Sequence, residues 1–446
     1  MRLVTKGLLP LLAIGITSMM LSACGGSGTP APGAPEANAE TKPEASAPAK
    51  VVAYSYWQEF SDDYWNKLLI EPVKKRYPHI DLEIVKPGTN GTKRLEEMIV
   101  AGEVPDIVIS DIGTAKGIGD LGFNYDMTPM IQKYKLDLSK YDQSTINYVK
   151  TFSSTGGIIS LPYSTNFIAL FYNKDIFDKF GVPYPKDGIT FDEVLQKSKL
   201  LTRSDNGTQY IGFDHNSIHF LAGGITRDYF DPKTGKVNLS TKEWRMAYDL
   251  LTQLIAIPNN RFPQDKTKIT RWHNEDFYKT QIVAMSGVPN LISAGLQTVP
   301  DMNWDMTSYP VFKEYPRTAQ AAGGYSLFMN PNSKVLDDAF KVVLTALSEE
   351  TQLRVSRNGA GPVLLTKETM DAFAADLPYT KGKNVKAAFY NKQYWPKYPT
   401  IYDATALGIA YNRSLDLYNG KDINTVIRET EEEITKKVDE MKLGTK

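Results

Sequence analysis

Hydrophobic and polar residues alternate along residues 51–446 with two periods, and these predict strands and helices in turn. Residues 51–57 form an apolar run that is typical of a first strand. Ser61 then stands where a helix cap is expected, and Trp65 and Val73 follow at helical spacing. The same patterns predict further strands at 80–85, 106–110, 157–163, 167–172 and 210–213, and further helices at 91–101, 191–201, 241–255, 336–347 and 423–441.

The opening of this region reads strand, helix, strand, helix, strand, which predicts a mainly parallel sheet with right-handed crossovers. In open α/β sheets, ligands bind beyond the carboxyl ends of the strands. Here the first strand ends in Trp57, Gln58 and Glu59, and the third ends at Asp111. We therefore expect these side chains near a ligand, although core packing is an alternative for Trp57 and helix capping for Asp111.

The N-terminus has the layout of a secretory signal. Arg2 and Lys6 flank a short basic region, and the apolar run at residues 7–21 is shorter than the roughly 20 residues that span a bilayer. The run ends in Leu21-Ser22-Ala23-Cys24, the lipobox pattern, so we predict a signal peptide at 1–23 and lipidation of Cys24. The alternative is a plain cleavable signal with an incidental cysteine.

Residues 24–50 are rich in Gly, Ser, Ala and Pro and carry no large apolar side chain. Such a segment cannot bury enough surface to offset the entropy of ordering, so it is predicted to be a disordered tether. Because two acyl chains anchor a protein stably where one does not, we expect a protein held on the outer face of the cytoplasmic membrane without spanning it.

Length and charge narrow the class of protein. Residues 51–446 exceed a usual single core, so two lobes are expected. The chain has 51 basic and 51 acidic residues, and removing Arg2 and Lys6 leaves a net charge of −2, which argues against nucleic acid as a partner. Tyrosine is abundant, with 25 residues, and a minority of the aromatic rings in a cleft would suit sugar rings.

Catalytic and metal-binding signatures are scarce. The sequence has no G-x-S-x-G elbow, no phosphate loop and no H-E-x-x-H motif. His215 and His219 are four residues apart and could meet on a helix, either as half of a metal site or as a solvated or hydrogen-bonded pair. No spacing marks further ligands, so we predict no metal, no cofactor and no enzymatic activity.

Several sequence blocks follow one another in a recognisable order. They include Gly157–Tyr163, Leu170–Phe177, Phe277–Met285, Gly323-Gly324-Tyr325 and Ser348–Gln352. In these blocks the chain resembles the extracellular solute-binding proteins of carbohydrate ABC importers, the family that includes maltose-binding protein. The resemblance covers nearly all of residues 51–441.

The resemblance implies an α/β fold of two lobes with a hinge and a ligand cleft between them. It implies a first lobe of residues 51–164 plus 327–359 and a second of 165–326 plus 360–446. Asn290 stands where many relatives have an aromatic residue, so ring stacking is not expected at that point. The ligand-binding residues that it implies are Trp57, Gln58, Glu59, Asp111, Tyr163, Gly287, Asn290, Gly324 and Tyr325.

The function that follows is capture of a sugar or oligosaccharide for an ABC importer. The expected partners are that small ligand and the permease subunits, with the membrane reached through the lipid alone and the protein acting as a monomer. Two alternatives stay open: a cell-surface glycan hydrolase, which would need two carboxylates flanking a bond, and a solute sensor that uses the same fold.

Overall fold

The computed structural model of the protein describes residues 47–56, 61–88, 91–153, 155–214, 217–260 and 275–444. Within these ranges two main sheets are flanked by helices, which gives the expected α/β fold of two lobes. No helix in the described ranges combines the length and hydrophobicity that a bilayer crossing needs.

The strands are numbered in chain order. They are β1 (Ala49–Ser55), β2 (Ile80–Val85), β3 (Ile107–Asp111), β4 (Ser160–Thr165), β5 (Ile168–Asn173), β6 (Arg203–Asp205), β7 (Thr208–Asp214), β8 (Val283–Pro289), β9 (Trp304–Ser308), β10 (Thr318–Gln320), β11 (Gly324–Met329), β12 (Gly361–Pro362) and β13 (Lys392–Tyr394).

The first sheet has the order β12-β4-β11-β3-β1-β2. β1 pairs in parallel with both β2 and β3, as the opening pattern predicts. The expectation of a mainly parallel sheet holds for the direction of β1, β2, β3 and β4, whereas β11 and β12 run antiparallel to their neighbours. The physical reason is that β11 returns from the other sheet instead of following a crossover helix.

The second sheet has the order β6-β7-β8-β5-β9. β7 and β8 are parallel, whereas β5 is antiparallel to both of its neighbours. β10 and β13 form a separate parallel pair. The chain passes from the first sheet to the second between Thr165 and Ile168, returns at β11, and still contributes β12 to the first sheet.

Helices cover both sheets. The α-helices are Asp62–Trp65, Glu71–Arg76, Gly91–Val100, Ala115–Asp120, Thr128–Lys133, Gln143–Lys150, Lys174–Phe180, Phe191–Leu201, Ile218–Ala222, Lys242–Ile255, Leu291–Ala294, Leu336–Ala346, Glu349–Arg357, Lys367–Asp371, Asp403–Ser414 and Ile423–Gly444. The 3₁₀ segments are Ile112–Thr114, Leu138–Lys140, Leu296–Thr298, Pro378–Thr380, Val385–Phe389 and Leu415–Asn419, and the π segments are Asn66–Ile70 and Asp276–Thr280.

Local capping sets where several helices begin. The Thr190 side chain accepts a hydrogen bond from the Glu193 backbone N–H, and the Glu193 carboxylate accepts one from the Thr190 backbone N–H. This capping box satisfies two backbone donors that the helix leaves free. Ser61 caps the helix Asp62–Trp65 in the predicted way, but a π turn interrupts the predicted continuous helix at Asn66–Ile70.

Each sheet has its own hydrophobic core. The first packs β1, β3, β4 and β11 against the helix Leu336–Ala346, and the second packs β5, β7 and β8 against the helices on its faces. We call the first sheet with its helices the first lobe and the second sheet with its helices the second lobe. β1 begins at Ala49, two residues inside the predicted tether, because the Ala49 backbone N–H bonds the His79 carbonyl.

Candidate functional site

Two adjoining cavities of about 400 and 290 Å³ lie between the lobes. His219, Arg227 and Leu407 line both cavities, so the two form one cleft. The first lobe contributes Asp111, Gly113, Lys116, Gly117, Asp120, Tyr148 and Phe152, and the facing residues include Ser217, Phe220, Tyr229, Pro289, Gln320, Pro396, Pro399, Thr400, Ile401, Asp403 and Tyr411. Part of this lining, including Asp111, Pro289 and Gln320, lies at strand ends, where ligands bind in α/β folds.

Asp111 is the last residue of β3 and stands at the cleft. Its Oδ1 accepts a hydrogen bond from the Gly113 backbone N–H at 2.6 Å, and its Oδ2 lies 3.5 Å from the Gly324 nitrogen. Burial raises the pKa of the Asp111 carboxyl, and these backbone donors and Arg227 partly offset the rise. Asp111 therefore caps the segment Ile112–Thr114 and lines the cleft as well, so the two readings of this residue are not exclusive.

Asp403 approaches the cleft from the start of the helix Asp403–Ser414. The Thr400 hydroxyl donates to its Oδ1 at 2.7 Å, and the Thr400 backbone N–H donates to its Oδ2 at 3.0 Å. Burial raises the pKa of this carboxyl, Asp228 adds to the rise, and Thr400 and Arg227 oppose it. The site thus holds a second partly desolvated acid.

His219 is buried on the short helix Ile218–Ala222. The side-chain amide of Gln320 donates to its Nε2 at 3.0 Å, and its Nδ1 lies 3.5 Å from the Tyr229 hydroxyl. Both ring nitrogens therefore face protein groups. The other half of the predicted pair, His215, lies outside the described residues, and the described part of the chain contains no cluster of metal-ligand residues.

Two stacked aromatic rings lie beside the cleft, and one of them, Tyr148, lines it. Tyr148, on the helix Gln143–Lys150, and Trp395, directly after β13, are stacked face to face. They belong to a small buried cluster with Ile112, Val149 and Ala321 that combines residues of both lobes. The two lobes are thus in direct apolar contact beside the cavities.

Four of the predicted site residues cannot be placed. Trp57, Gln58, Glu59 and the lipidation candidate Cys24 lie outside the described residues. β1 ends at Ser55, so the chain before the first three of them leads toward the end of the sheet where Asp111 lies. Ligand contact by Trp57, Gln58 and Glu59 remains a prediction, as does lipidation of Cys24.

Tyr163 and Gly287 are placed in the cores. Tyr163 is 2% exposed and lies against Trp65, with ring centroids 6.4 Å apart. A Cβ on Gly287 would come within 2.8 Å of the Tyr309 ring. Neither residue lines the two cavities, so the structure gives each a packing role, and a role in ligand binding stays a prediction.

The remaining predicted residues lie near the crossings between the lobes. Asn290 follows β8 in a left-handed conformation, and its side-chain oxygen accepts a hydrogen bond from the Phe167 backbone N–H at 3.2 Å. Gly324 has a φ of 153°, and a Cβ there would lie 2.3 Å from the Ser164 carbonyl oxygen. Tyr325 stacks on Tyr163, with ring centroids 6.2 Å apart. These contacts bind the crossing strands together.

The cleft residues that the sequence did not reveal are Tyr148, Arg227 and Asp403, and beside them lies Trp395, which packs on Tyr148. Of these residues only Trp395 carries a local signal, since it opens the segment Trp395-Pro396-Lys397-Tyr398-Pro399, where prolines alternate with aromatic residues. Nothing in the neighbouring residues distinguishes Arg227 or Asp403 from solvated surface charges. They become site residues only when the lobes meet.

Comparison with protein families gives one match over most of the chain. Residues 48–353 match the model of the bacterial extracellular solute-binding proteins. Among curated proteins, the chain is 22% identical over 401 residues to the multiple sugar-binding protein of Streptococcus mutans, which covers 85% of this chain and 86% of that one.

Solved structures of similar shape cover almost the whole of the folded part. A sugar transporter protein of Rhizobium etli in an open conformation superposes with a TM-score of 0.71 at 19% identity, over 87% of this chain and 99% of that one. The sugar-binding protein MalE of Xanthomonas citri gives a TM-score of 0.70 at 16% identity, over 89% and 98%. These likenesses agree with the two-lobe fold.

Proposed function

Because this chain belongs to the bacterial extracellular solute-binding protein family, we propose that it captures a sugar or oligosaccharide between its lobes for an ABC importer. The observation that carries the proposal is the pair of joined cavities between the lobes, lined by carboxylates, an arginine and aromatic rings. Carboxylates and guanidinium groups complement sugar hydroxyls, and aromatic faces complement the C–H faces of sugar rings. The name of the Streptococcus mutans relative, a multiple sugar-binding protein, supports the same ligand class.

Ligand contacts to both lobes would favour a closed form and shift the population toward it. For the lobes we propose the boundaries 51–164 plus 327–359 and 165–326 plus 360–446, so that several strand connections act as the hinge. The permease would then recognise the closed form. We propose Trp57, Gln58, Glu59, Asp111, Asn290 and Tyr325 as contacts, with Tyr163, Gly287 and Gly324 supporting them from the cores and the crossing.

A thermal-shift screen of the mature protein against monosaccharides and oligosaccharides tests the proposal. A ligand at 100 times its Kd adds roughly 2.7 kcal/mol of stability, which is readily measured. With that ligand, small-angle scattering should give a smaller radius of gyration, and chromatography should recover the ligand unchanged. Cleaved ligand would favour the glycan hydrolase, and binding without any dependence of uptake on the protein would favour the sensor.

We further propose that Cys24 is the first residue of the mature protein and its sole anchor on the outer face of the membrane. The Leu21–Cys24 lipobox and the tether-like composition that follows support this proposal. Cys24→Ala should move the protein from the detergent-extracted membrane fraction to the soluble fraction, whereas Ser27→Ala should not. Mature-sized Cys24→Ala protein that stays with the membranes would contradict lipid anchoring.

A further inference from the structure

Arg227 lies where the two cavities of the cleft meet and lines both of them. Its Nη1 donates to the Ala321 carbonyl oxygen at 2.8 Å, which fixes one end of the guanidinium. Its Nε–H is buried and has no acceptor within the part of the chain that the structure describes. A buried donor without a partner costs about 1–3 kcal/mol, so a further acceptor is expected in the cleft, and an oxygen of a bound ligand can supply it.

The carboxylates around Arg227 do not neutralise it by direct contact. Asp111 faces it from the first lobe and Asp403 from the second, and both feel its charge. Neither forms an ion pair with Arg227 within 4.0 Å, and each already accepts hydrogen bonds from neighbouring protein groups. The other charged pair of the lining, Lys116 and Asp120, is joined by an ion pair at 3.2 Å and cancels itself.

Among the described residues, the centre of the cleft therefore holds one cation, Arg227, and two partly desolvated carboxylates, Asp111 and Asp403, so carboxylates outnumber the unpaired cation there. A ligand carboxylate or phosphate at Arg227 would add a negative charge beside two buried ones, and like charges in such a setting are costly. A hydroxyl group has no such cost. It can accept from the Arg227 Nε–H and donate to Asp111 or Asp403 at the same time.

We propose that Arg227 is a ligand-binding and specificity-determining residue, that its Nε–H donates to an oxygen of an uncharged glycan, and that the cleft rejects anionic sugars. This inference rests on the proposed function and narrows its ligand class. Arg227 donates a hydrogen bond to the ligand. Asp111 and Asp403 accept hydrogen bonds from ligand hydroxyls, and their negative charges repel anionic ligands.

The test uses matched probes on the mature protein. The neutral set is the gluco-, manno-, galacto- and xylo-configured trisaccharides. The anionic set is the hexose trisaccharides oxidised to a terminal uronate, and all four trisaccharides phosphorylated on a terminal hydroxyl. Titration calorimetry is done on the wild type, Arg227→Met, Arg227→Lys and the control Arg245→Met. Arg245 is exposed on the helix Lys242–Ile255 and bonds the Asn424 side chain, away from the cleft.

The wild type should bind at least one neutral probe and bind its anionic counterpart at least tenfold more weakly. Arg227→Met should weaken neutral binding roughly 10- to 100-fold, because a charged hydrogen bond is lost. Arg227→Lys keeps the charge but not the planar Nε–H donor, and should also weaken binding, while Arg245→Met should leave it unchanged.

Neutral binding by Arg227→Met within twofold of the wild type, in a variant with the wild-type unfolding transition, would overturn the role of Arg227. Tighter binding of a uronate or phosphate probe than of its neutral counterpart would overturn the exclusion of anions. A wild type that binds no probe of either set would instead overturn the proposed function, and this inference with it.

Discussion

The indole ring of Trp395 lies on the phenol ring of Tyr148, with centroids 4.4 Å apart and planes 23° from parallel. Tyr148 belongs to the first lobe, whereas Trp395 follows a strand that pairs with Thr318–Gln320, beside the second lobe. Both side chains are less than one-tenth exposed. The lobes are therefore joined at the cleft by an apolar contact as well as by the chain crossings.

Removing this stack should weaken the fold. Trp395→Ala should lower the free energy of unfolding by about 3 kcal/mol, within the range for truncating a buried Trp. Trp395→Phe keeps an aromatic ring in the stack and should retain most of the wild-type free energy of unfolding. The matched control is Tyr398→Ala in the same segment, since Tyr398 is 52% exposed and should cost under about 0.5 kcal/mol. Equal losses in Trp395→Ala and Tyr398→Ala, measured by urea denaturation, would show that the stack contributes nothing.

Asp111→Asn should separate ligand binding from capping. An Asn side-chain oxygen can still accept from the Gly113 backbone N–H, so unfolding of the empty protein should change by less than about 1 kcal/mol. Ligand affinity should fall roughly tenfold, because a charged acceptor becomes a neutral one. Asp142→Asn is the control, since Asp142 caps the helix Gln143–Lys150 outside the cleft lining. Wild-type affinity in Asp111→Asn would mean that Asp111 is a cap alone.

Trp57→Ala tests a residue that lies outside the described ranges. If Trp57 stacks on the ligand, the variant should lose affinity and keep the unfolding free energy of the empty wild type. Trp65→Ala provides the opposite signature, because Trp65 is 2% exposed in the first core and should cost about 3–5 kcal/mol of stability. A Trp57→Ala variant that behaves like Trp65→Ala would make Trp57 a core residue.

Asp214 should give the protein a distinctive dependence on pH. Removal from water raises the pKa of its carboxyl to about 7, with Asp276 adding to the rise. Between the ordinary carboxyl pKa and about 7 the folded state binds more protons than the unfolded state, so stability falls as pH rises through this window.

Asp214→Asn removes the titrating carboxyl, so the fall in stability with rising pH should disappear in this variant. Relative to the wild type, the variant should gain up to about 4 kcal/mol of unfolding free energy between pH 4 and pH 8. Denaturation curves at several pH values measure the difference, and exposed Asp81→Asn serves as the control. Parallel pH profiles for Asp214→Asn and the wild type would rule out a titrating, desolvated Asp214.

The sequence predicts those parts of the fold that local interactions set. The helix Phe191–Leu201 begins and ends where the pattern places it, because its capping box and its apolar spacing are both local. The π turn at Asn66–Ile70 and the antiparallel entry of β11 depend on packing against distant residues. The alternation of apolar and polar residues therefore predicts neither the π turn nor the direction of β11.

The candidate site divides in the same way. Asp111 could be identified from sequence because it ends a strand, and strand ends face the cleft in this architecture. The family resemblance predicts Tyr163 at the ligand, whereas the structure buries its side chain in the first core, and its contact with a ligand stays a prediction. Arg227 and Asp403 could not be found, because their proximity to Asp111 exists only once the lobes have assembled.

The place of β11 in the first sheet has a consequence for how the protein is made. β11 lies between β3 and β4, and next to it Asn330 bonds Pro105 across 225 residues of sequence. A ribosome delivers β1 to β4 long before it delivers β11, so the nascent chain holds two halves of a sheet with no strand to join them. Such distant pairing also slows folding, so the first sheet of a growing chain cannot be completed until β11 has been synthesised.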